Sequence, residues 1–318
     1  MVKMFRKILF LIAVIAILAA AYLLLGGSQG SQQSIKISGA WALYPMMVKW
    51  AEEYQKLHPD VKIDVSAGGA GKGMADAISG LVDIGMVSRD IDPSEIQKGA
   101  FPIKVVKDAV LATMNKNNPA AGQVLQTGVR KSQFQEVFRY NNITTWGALV
   151  GNAGNRDTIA VYTRSDSCGA AESWAKYLGG RQEDLKGIGV YGDPGLADAV
   201  SKDVRGVGYN NLGFAYDAKT GMLVGDLIII PIDVNENGVI EPSENFYGKQ
   251  SDVIGAIADG RYPSPPARDE YLVTKDGFSG ASKDFVRWIL TDGQAYVVES
   301  GYVPLKDEVL QEQLAKLA

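Results

Sequence analysis

Apolar and polar positions change period along this chain in a way that marks out its elements. Ile35 and Ile37 alternate with Lys36 as in a half-buried strand, and Met46, Trp50, Tyr54 and Leu57 then fall three or four residues apart, as one face of a helix ending at His58-Pro59. The pattern then repeats. Val61–Val65 alternates, Met74, Ala77, Ile78 and Leu81 form a second helical stripe, and Asp83–Val87 is a short apolar strand. Strand-helix-strand-helix-strand order predicts a parallel sheet covered by helices on both faces. Val105–Met114 reads as a long strand leaving this unit and Tyr271–Thr274 as one returning to it, with a strand at Thr158–Thr163 and a helix at Ala170–Leu178 between them. The prediction is α/β with two lobes, the second inserted into the first. Lobe I takes 34–112 and 269–318, lobe II takes 113–268, and the ligand cleft lies between them, beyond the carboxyl ends of the strands.

Residues 1–33 differ from the rest. Lys3, Arg6 and Lys7 precede an unbroken apolar run, Ile8–Leu25, and a Gly/Ser/Gln linker follows. As a helix, that run is about 27 Å long, close to the roughly 30 Å hydrocarbon core, and longer than the apolar region of most signal peptides. An N-terminal hydrophobic helix serving as a membrane anchor is favoured on length, while Ala19–Ala21 and Gly26–Ser28 also suit cleavage of a signal; either places the remainder outside the cytoplasm. At 318 residues, 46% apolar and 21% charged, the chain is long enough for two filled cores. Without the three leading cations it carries 29 basic against 36 acidic residues, net −7, so nucleic acid is not an expected partner. The single cysteine, Cys168, excludes an internal disulfide.

Arg164-Ser-Asp-Ser-Cys-Gly-Ala-Ala-Glu172 joins the predicted strand at 158–163 to the helix that follows. A helix entered through such a loop offers unpaired N–H groups and a partial positive charge, a seat for an anion. Ser38–Pro45 and Ala67–Gly73 have the same construction.

Together with Lys49-Trp-Ala51, Asp83–Arg89, Phe134–Phe138, Ile143–Trp146, Gly208–Tyr216, Gly293-Gln294 and Gly301–Leu305, these segments resemble, in order and spacing, the phosphate-binding receptors of ABC importers, of the type II periplasmic-binding-protein fold. The resemblance implies a receptor for phosphate or a similar oxyanion that delivers it to a membrane permease. Position by position, it implies ligand contacts from Leu43 and Tyr44 in the first loop, Ala70 and Gly71 in the second, Ser88 or Arg89 in the third, and Arg164, Cys168, Gly169 and Ala170 in the fourth, with Asp166 orienting Arg164. Leu43, Ala70, Cys168 and Ala170 stand where the family has hydroxyl residues, which leaves mainly backbone donors. A carboxylate that accepts the proton of hydrogen phosphate is missing from the third loop unless Asp90 serves. With Arg89 there instead, a fully deprotonated anion such as sulfate, molybdate or tungstate is also open.

Asp233-Val-Asn-Glu-Asn-Gly-Val-Ile-Glu-Pro-Ser-Glu244 fits the twelve-residue calcium loop. Asp233, Asn235 and Asn237 supply oxygens at alternate positions, Gly238 permits the turn, Val239 offers its carbonyl and Glu244 both carboxylate oxygens, with Glu241 acting through water. The preceding run, Leu227–Ile232, reads as a strand, so a structural Ca²⁺ is expected and not a helix-loop-helix sensor. This loop leaves a second role open, a calcium-stabilised surface protein with a structural or adhesive function. With His58 the sole histidine, neither a Ser-His-Asp triad nor a histidine metal cluster can be assembled, and no enzymatic activity is expected.

Overall fold

The computed structural model describes residues 33–318. The apolar run at 8–25 and its linker lie outside the described residues; among those described, no helix is long and apolar enough to cross a membrane. Among the described residues nine strands, numbered in chain order, form one sheet; eight follow one another in the order β2-β1-β3-β9-β4-β7-β5-β6, and β8 lies off this path, paired with β4.

In the first lobe, β1 (Gln33–Gly39), β2 (Val61–Ala67) and β3 (Ile84–Val87) are parallel, and β9 (Ala267–Lys275) runs antiparallel between β3 and β4 (Ala100–Asn115). In the second, β5 (Ala160–Arg164) lies parallel to β6 (Ile188–Val190) and to β7 (Gly206–Asn211), which pairs antiparallel with the far end of β4; β8 (Leu227–Ile229) also joins β4 there. The alternating α and β segments thus give the expected α/β architecture, with two antiparallel crossing strands inserted in it.

Helix α1 (Tyr44–Leu57) buries Met46, Met47, Trp50, Ala51 and Tyr54, and the Trp50 indole donates to the Gly293 carbonyl at 2.8 Å. Burial of each such large side chain contributes about 1.5–3 kcal/mol. Helix α2 (Ala70–Ser79) stops at Gly80, which is left-handed at φ 73°, so Leu81 lies beyond the helix and is 69% exposed instead of continuing the stripe. Helices α3 (Gly169–Tyr177) and α4 (Asp193–Lys202) belong to the second lobe. Its core is aromatic, with the Trp174 ring 5.1 Å from Phe134 and 5.6 Å from Phe138.

The apolar interior separates into two main clusters. One ends at Val106 and resumes at Leu272; the other runs from Ala109 to Ala267 and includes Val303. β4 pairs with β9 over Ala100–Ala109 and with β7 over Val110–Met114, so the outward crossing lies near 107–109, a few residues before the boundary expected from sequence. Charged side chains are enclosed at this crossing. Arg268 donates to the Asn211 side-chain carbonyl and lies 3.4 Å from carboxylate oxygens of both Asp108 and Glu270. Burial pushes the Asp108 carboxyl up to about 6 against the pull of Arg268, and raises that of Glu270 well above its ordinary range.

Candidate functional site

The parallel register aligns Gly39 with Ala67 at the carboxyl ends of β1 and β2, so the loops leading to α1 and α2 emerge side by side; the N–H groups of Gly68 and Gly69 both donate to the Gly39 carbonyl at 2.9 Å. Neither helix has a side-chain cap. Leu43 and Gly69 occupy the N-cap positions, which leaves the first-turn N–H groups of α2 (Ala70, Gly71 and Lys72) without intrahelical acceptors. Tyr44 is more constrained, its N–H donating to Trp41 O at 3.2 Å.

The second lobe meets these loops directly. A Cβ on Gly71 would lie 2.6 Å from Ser167 Oγ, and one on Gly169 would lie 2.0 Å from the Ser88 carbonyl oxygen. Gly169 is required by this close approach because it meets backbone, whereas Gly71 meets a rotatable hydroxyl; the contact puts the N-terminus of α3 against the first lobe. On α3, Cys168 is the N-cap and its sulfur accepts from Ala171 N at 3.4 Å, while Gly169 and Ala170 occupy the first turn. Burial pushes the Cys168 thiol up to about 12, with Arg164 opposing, so the sulfur is a neutral packing group.

Arg164 lies at the end of β5, where its N–H donates to the Tyr209 hydroxyl at 3.1 Å, and its side chain is wholly enclosed. Nε and Nη2 form a fork onto Asp166 at 2.8 and 2.6 Å. Asp166 is itself held by Gly192 N, so the expected orienting role is met by geometry. Nη1 lies 2.8 Å from Asp193 Oδ1. Burial disfavours the guanidinium charge, but Asp193 and Asp166 overcome it and hold Arg164 protonated.

These contacts bring Ala70, Gly71 and Ser88 together with Cys168, Gly169 and Ala170 on the turn headed by Arg164, while Leu43 and Tyr44 follow a loop that meets the second lobe through Trp41 and Gly192. Arg89 is outside this convergent set. Its guanidinium is bidentate on Glu95 at 2.9 and 2.6 Å and faces a separate interlobe crevice of about 810 Å³ lined also by Lys98, Glu172 and Lys176. The expectation of a second guanidinium from the third loop is thus corrected: alternation at the strand end turns Ser88 towards Gly169 and Arg89 away. Asp90, the other expected substitute, is exposed and paired with Lys176 across the lobes. Lys72 is paired with Asp76, which also accepts from Ser38 Oγ at 2.6 Å. Sequence reasoning missed Asp193, whose only signal was another Gly-containing strand-to-helix turn, Tyr191–Gly195.

The 233–244 loop folds on itself. Asp233 accepts from Asn237 N at 3.2 Å and Gly238 N at 2.8 Å, and Glu244 accepts from Val234 N at 2.9 Å and Glu241 N at 3.2 Å. Asp233 and Glu244 are buried, Gly238 has φ 80°, and β8 precedes the loop in place of a helix. Among the described residues no group of three or more His, Cys, Asp or Glu side chains gathers for a metal, so an ion here would rely on Asn235, Asn237 and the Val239 carbonyl as well.

The sequence profile of the PBP superfamily domain matches residues 26–293. The phosphate-binding protein PstS of Bacillus subtilis is 26% identical over 286 residues, covering 88% of this chain and 84% of the relative. That of Methanocaldococcus jannaschii is 24% identical, covering 96% and 93%. In fold, the chain is similar to a crystal structure from Clostridium perfringens described as a phosphate ABC transporter substrate-binding protein with bound phosphate; the TM-score is 0.68 at 24% identity, over 86% of this chain and all of the other.

Proposed function

The chain belongs to the PBP superfamily, and from that premise we propose that it is an extracytoplasmic receptor that captures phosphate and delivers it to the permease of an ABC importer. The observation that carries this reading is the meeting of the N-termini of α2 and α3 at the turn that follows the enclosed Arg164, where a Cβ on Gly69 would lie 2.6 Å from Ser167 O and 3.4 Å from Asp166 Oδ2. The names of the PstS relatives point the same way. Charge-assisted hydrogen bonds contribute about 1.5–3 kcal/mol each and micromolar affinity needs about 8 kcal/mol, so Arg164 and a handful of main-chain donors suffice. The role is capture, not catalysis. His58, the sole histidine, stacks on Tyr54 at the end of α1, with ring centroids 4.1 Å apart. Calorimetric titration of the full chain with phosphate, sulfate, molybdate and tungstate should show phosphate bound at micromolar Kd or tighter. No heat with any of the four would end the receptor reading in favour of a structural or adhesive role.

The segment at 8–25 would hold the receptor at the outer membrane surface or be removed during export; the mass of the native protein distinguishes these fates. We also propose that the 233–244 loop holds a structural Ca²⁺, supported by its ligand spacing and by the turn at Gly238. For a site of about 10⁻⁴ M in about 1 mM calcium, binding stabilises the fold by roughly 1.4 kcal/mol, or about 3–6 °C in Tm. EGTA should lower the melting temperature by that amount in the wild type and not in Asp233→Ala. Equal melting with and without chelator would remove the ion from the account.

A further inference from the structure

Trp41 stands apart from the other tryptophans. Trp50, Trp146, Trp174 and Trp288 are buried within the two cores, whereas Trp41 lies on the first loop and turns its ring across the cleft. There the indole meets Tyr191 of the second lobe edge to face, with ring centroids 6.1 Å apart, and a Cβ on the neighbouring Gly192 would lie 3.5 Å from it. The indole is carried on a loop fastened to the first lobe. Ala40 N donates to the Met86 carbonyl at 2.9 Å, Tyr44 N to the Trp41 carbonyl at 3.2 Å, and the Tyr302 hydroxyl to the Ala42 carbonyl at 2.5 Å.

The turn on the far side of this contact is the one that steers Arg164. Gly192 N donates to Asp166 Oδ1 at 3.2 Å, and the next residue, Asp193, has its Oδ1 2.8 Å from Arg164 Nη1. Asp166 holds the other two guanidinium nitrogens. Both carboxylates that orient the arginine are thus tied to Tyr191–Asp193, and Trp41 reaches that turn from the opposite lobe.

We propose that Trp41 is a positioning residue for anion capture: it clasps the Tyr191–Asp193 turn from the first lobe, so that closing the cleft and fixing Arg164 in its binding orientation are one event. The inference rests on the oxyanion-receptor reading and deepens it by naming the side chain that couples closure to the arginine. Tyr191 is an exposed residue, so parting the lobes returns its ring and the indole edge to water, and their contact favours the closed form. An uncharged clasp of this kind slows the escape of an anion seated on Arg164 and leaves its diffusional arrival nearly unchanged.

The test compares the wild type, Trp41→Ala and Trp41→Phe, each as the full chain, with inorganic phosphate as the probe. Calorimetry gives Kd, rapid filtration of radiolabelled phosphate gives the release rate, and tryptophan emission reports the surroundings of the indoles. Trp41→Ala should weaken phosphate binding by about 10-fold, nearly all of it as faster release. Trp41→Phe keeps a ring for Tyr191 and should stay within about 3-fold of the wild type. Phosphate should change the emission of the wild type and not that of Trp41→Phe, although this variant binds, because the four remaining indoles lie inside the cores. A lower melting temperature in Trp41→Ala without faster release would make Trp41 a packing residue and overturn the assignment. Equal release from the wild type and Trp41→Ala would also overturn it, as would an emission change that survives in Trp41→Phe. In each of these cases the wild type still binds phosphate and the receptor reading stands; absence of phosphate binding by the wild type ends both.

Discussion

Arg164→Ala should eliminate measurable phosphate binding and lower the melting temperature as well. The side chain is wholly enclosed and engages Asp166 through two nitrogens and Asp193 through the third. Its removal takes away the one guanidinium in the convergent set and leaves two carboxylates in a poorly hydrated place. Breaking a buried ion pair from one side commonly costs about 3–5 kcal/mol of stability. The loss of several charge-assisted bonds to the guest corresponds to a factor of at least about 100 in Kd. Arg164→Lys separates the two effects, because the ammonium keeps a charge near the aspartates but cannot reproduce the fork on Asp166. It should melt above the alanine variant and still bind weakly. Wild-type affinity in Arg164→Ala would mean that the anion sits elsewhere.

Gly169→Ala is expected to leave both lobes folded yet prevent them from meeting. The added Cβ would lie 2.0 Å from the Ser88 carbonyl oxygen and 2.1 Å from its hydroxyl, a contact between the lobes and not within either core. Overpacking of this kind costs about 1–3 kcal/mol, and here the cost falls on the closed form alone, so affinity should drop by about 5- to 150-fold. Small-angle scattering gives the second readout. The wild type should contract when phosphate is added, and Gly169→Ala should contract less or not at all while retaining the wild-type melting temperature without ligand. Normal contraction and normal affinity in the variant would show that Ser88 and Gly169 are not in contact in the bound state.

Much of this arrangement was legible before any coordinates. The change of apolar period between Ile35 and Val87 specified the first strands and helices because each buries one face. The fourth loop stood out because Arg164, Asp166 and Gly169 occur together at a strand-to-helix junction. What stayed hidden depends on neighbours distant in the chain. Ser88 and Arg89 could not be told apart because a shift of one residue at a strand end exchanges the two faces; pairing with Glu95 decides it. Asp193 reads locally as an ordinary acidic residue in the first turn of a helix, and only the return of β6 alongside β5 sets it opposite Arg164. Asp108 interrupts an apolar run without announcing a partner, which arrives 160 residues later as Arg268.

The two lobes are joined by a hydrogen-bonded ribbon, β4 against β9, not by loose connectors. Such a ribbon bends and twists easily, but sliding one strand along the other by a residue would reverse every side chain in the seam. Relative movement is thereby confined to bending and twisting of the ribbon, which changes the angle between the lobes without shearing the seam. A membrane partner that touches both lobes at once can read whether cargo is aboard from that angle alone, without any contact with the cargo.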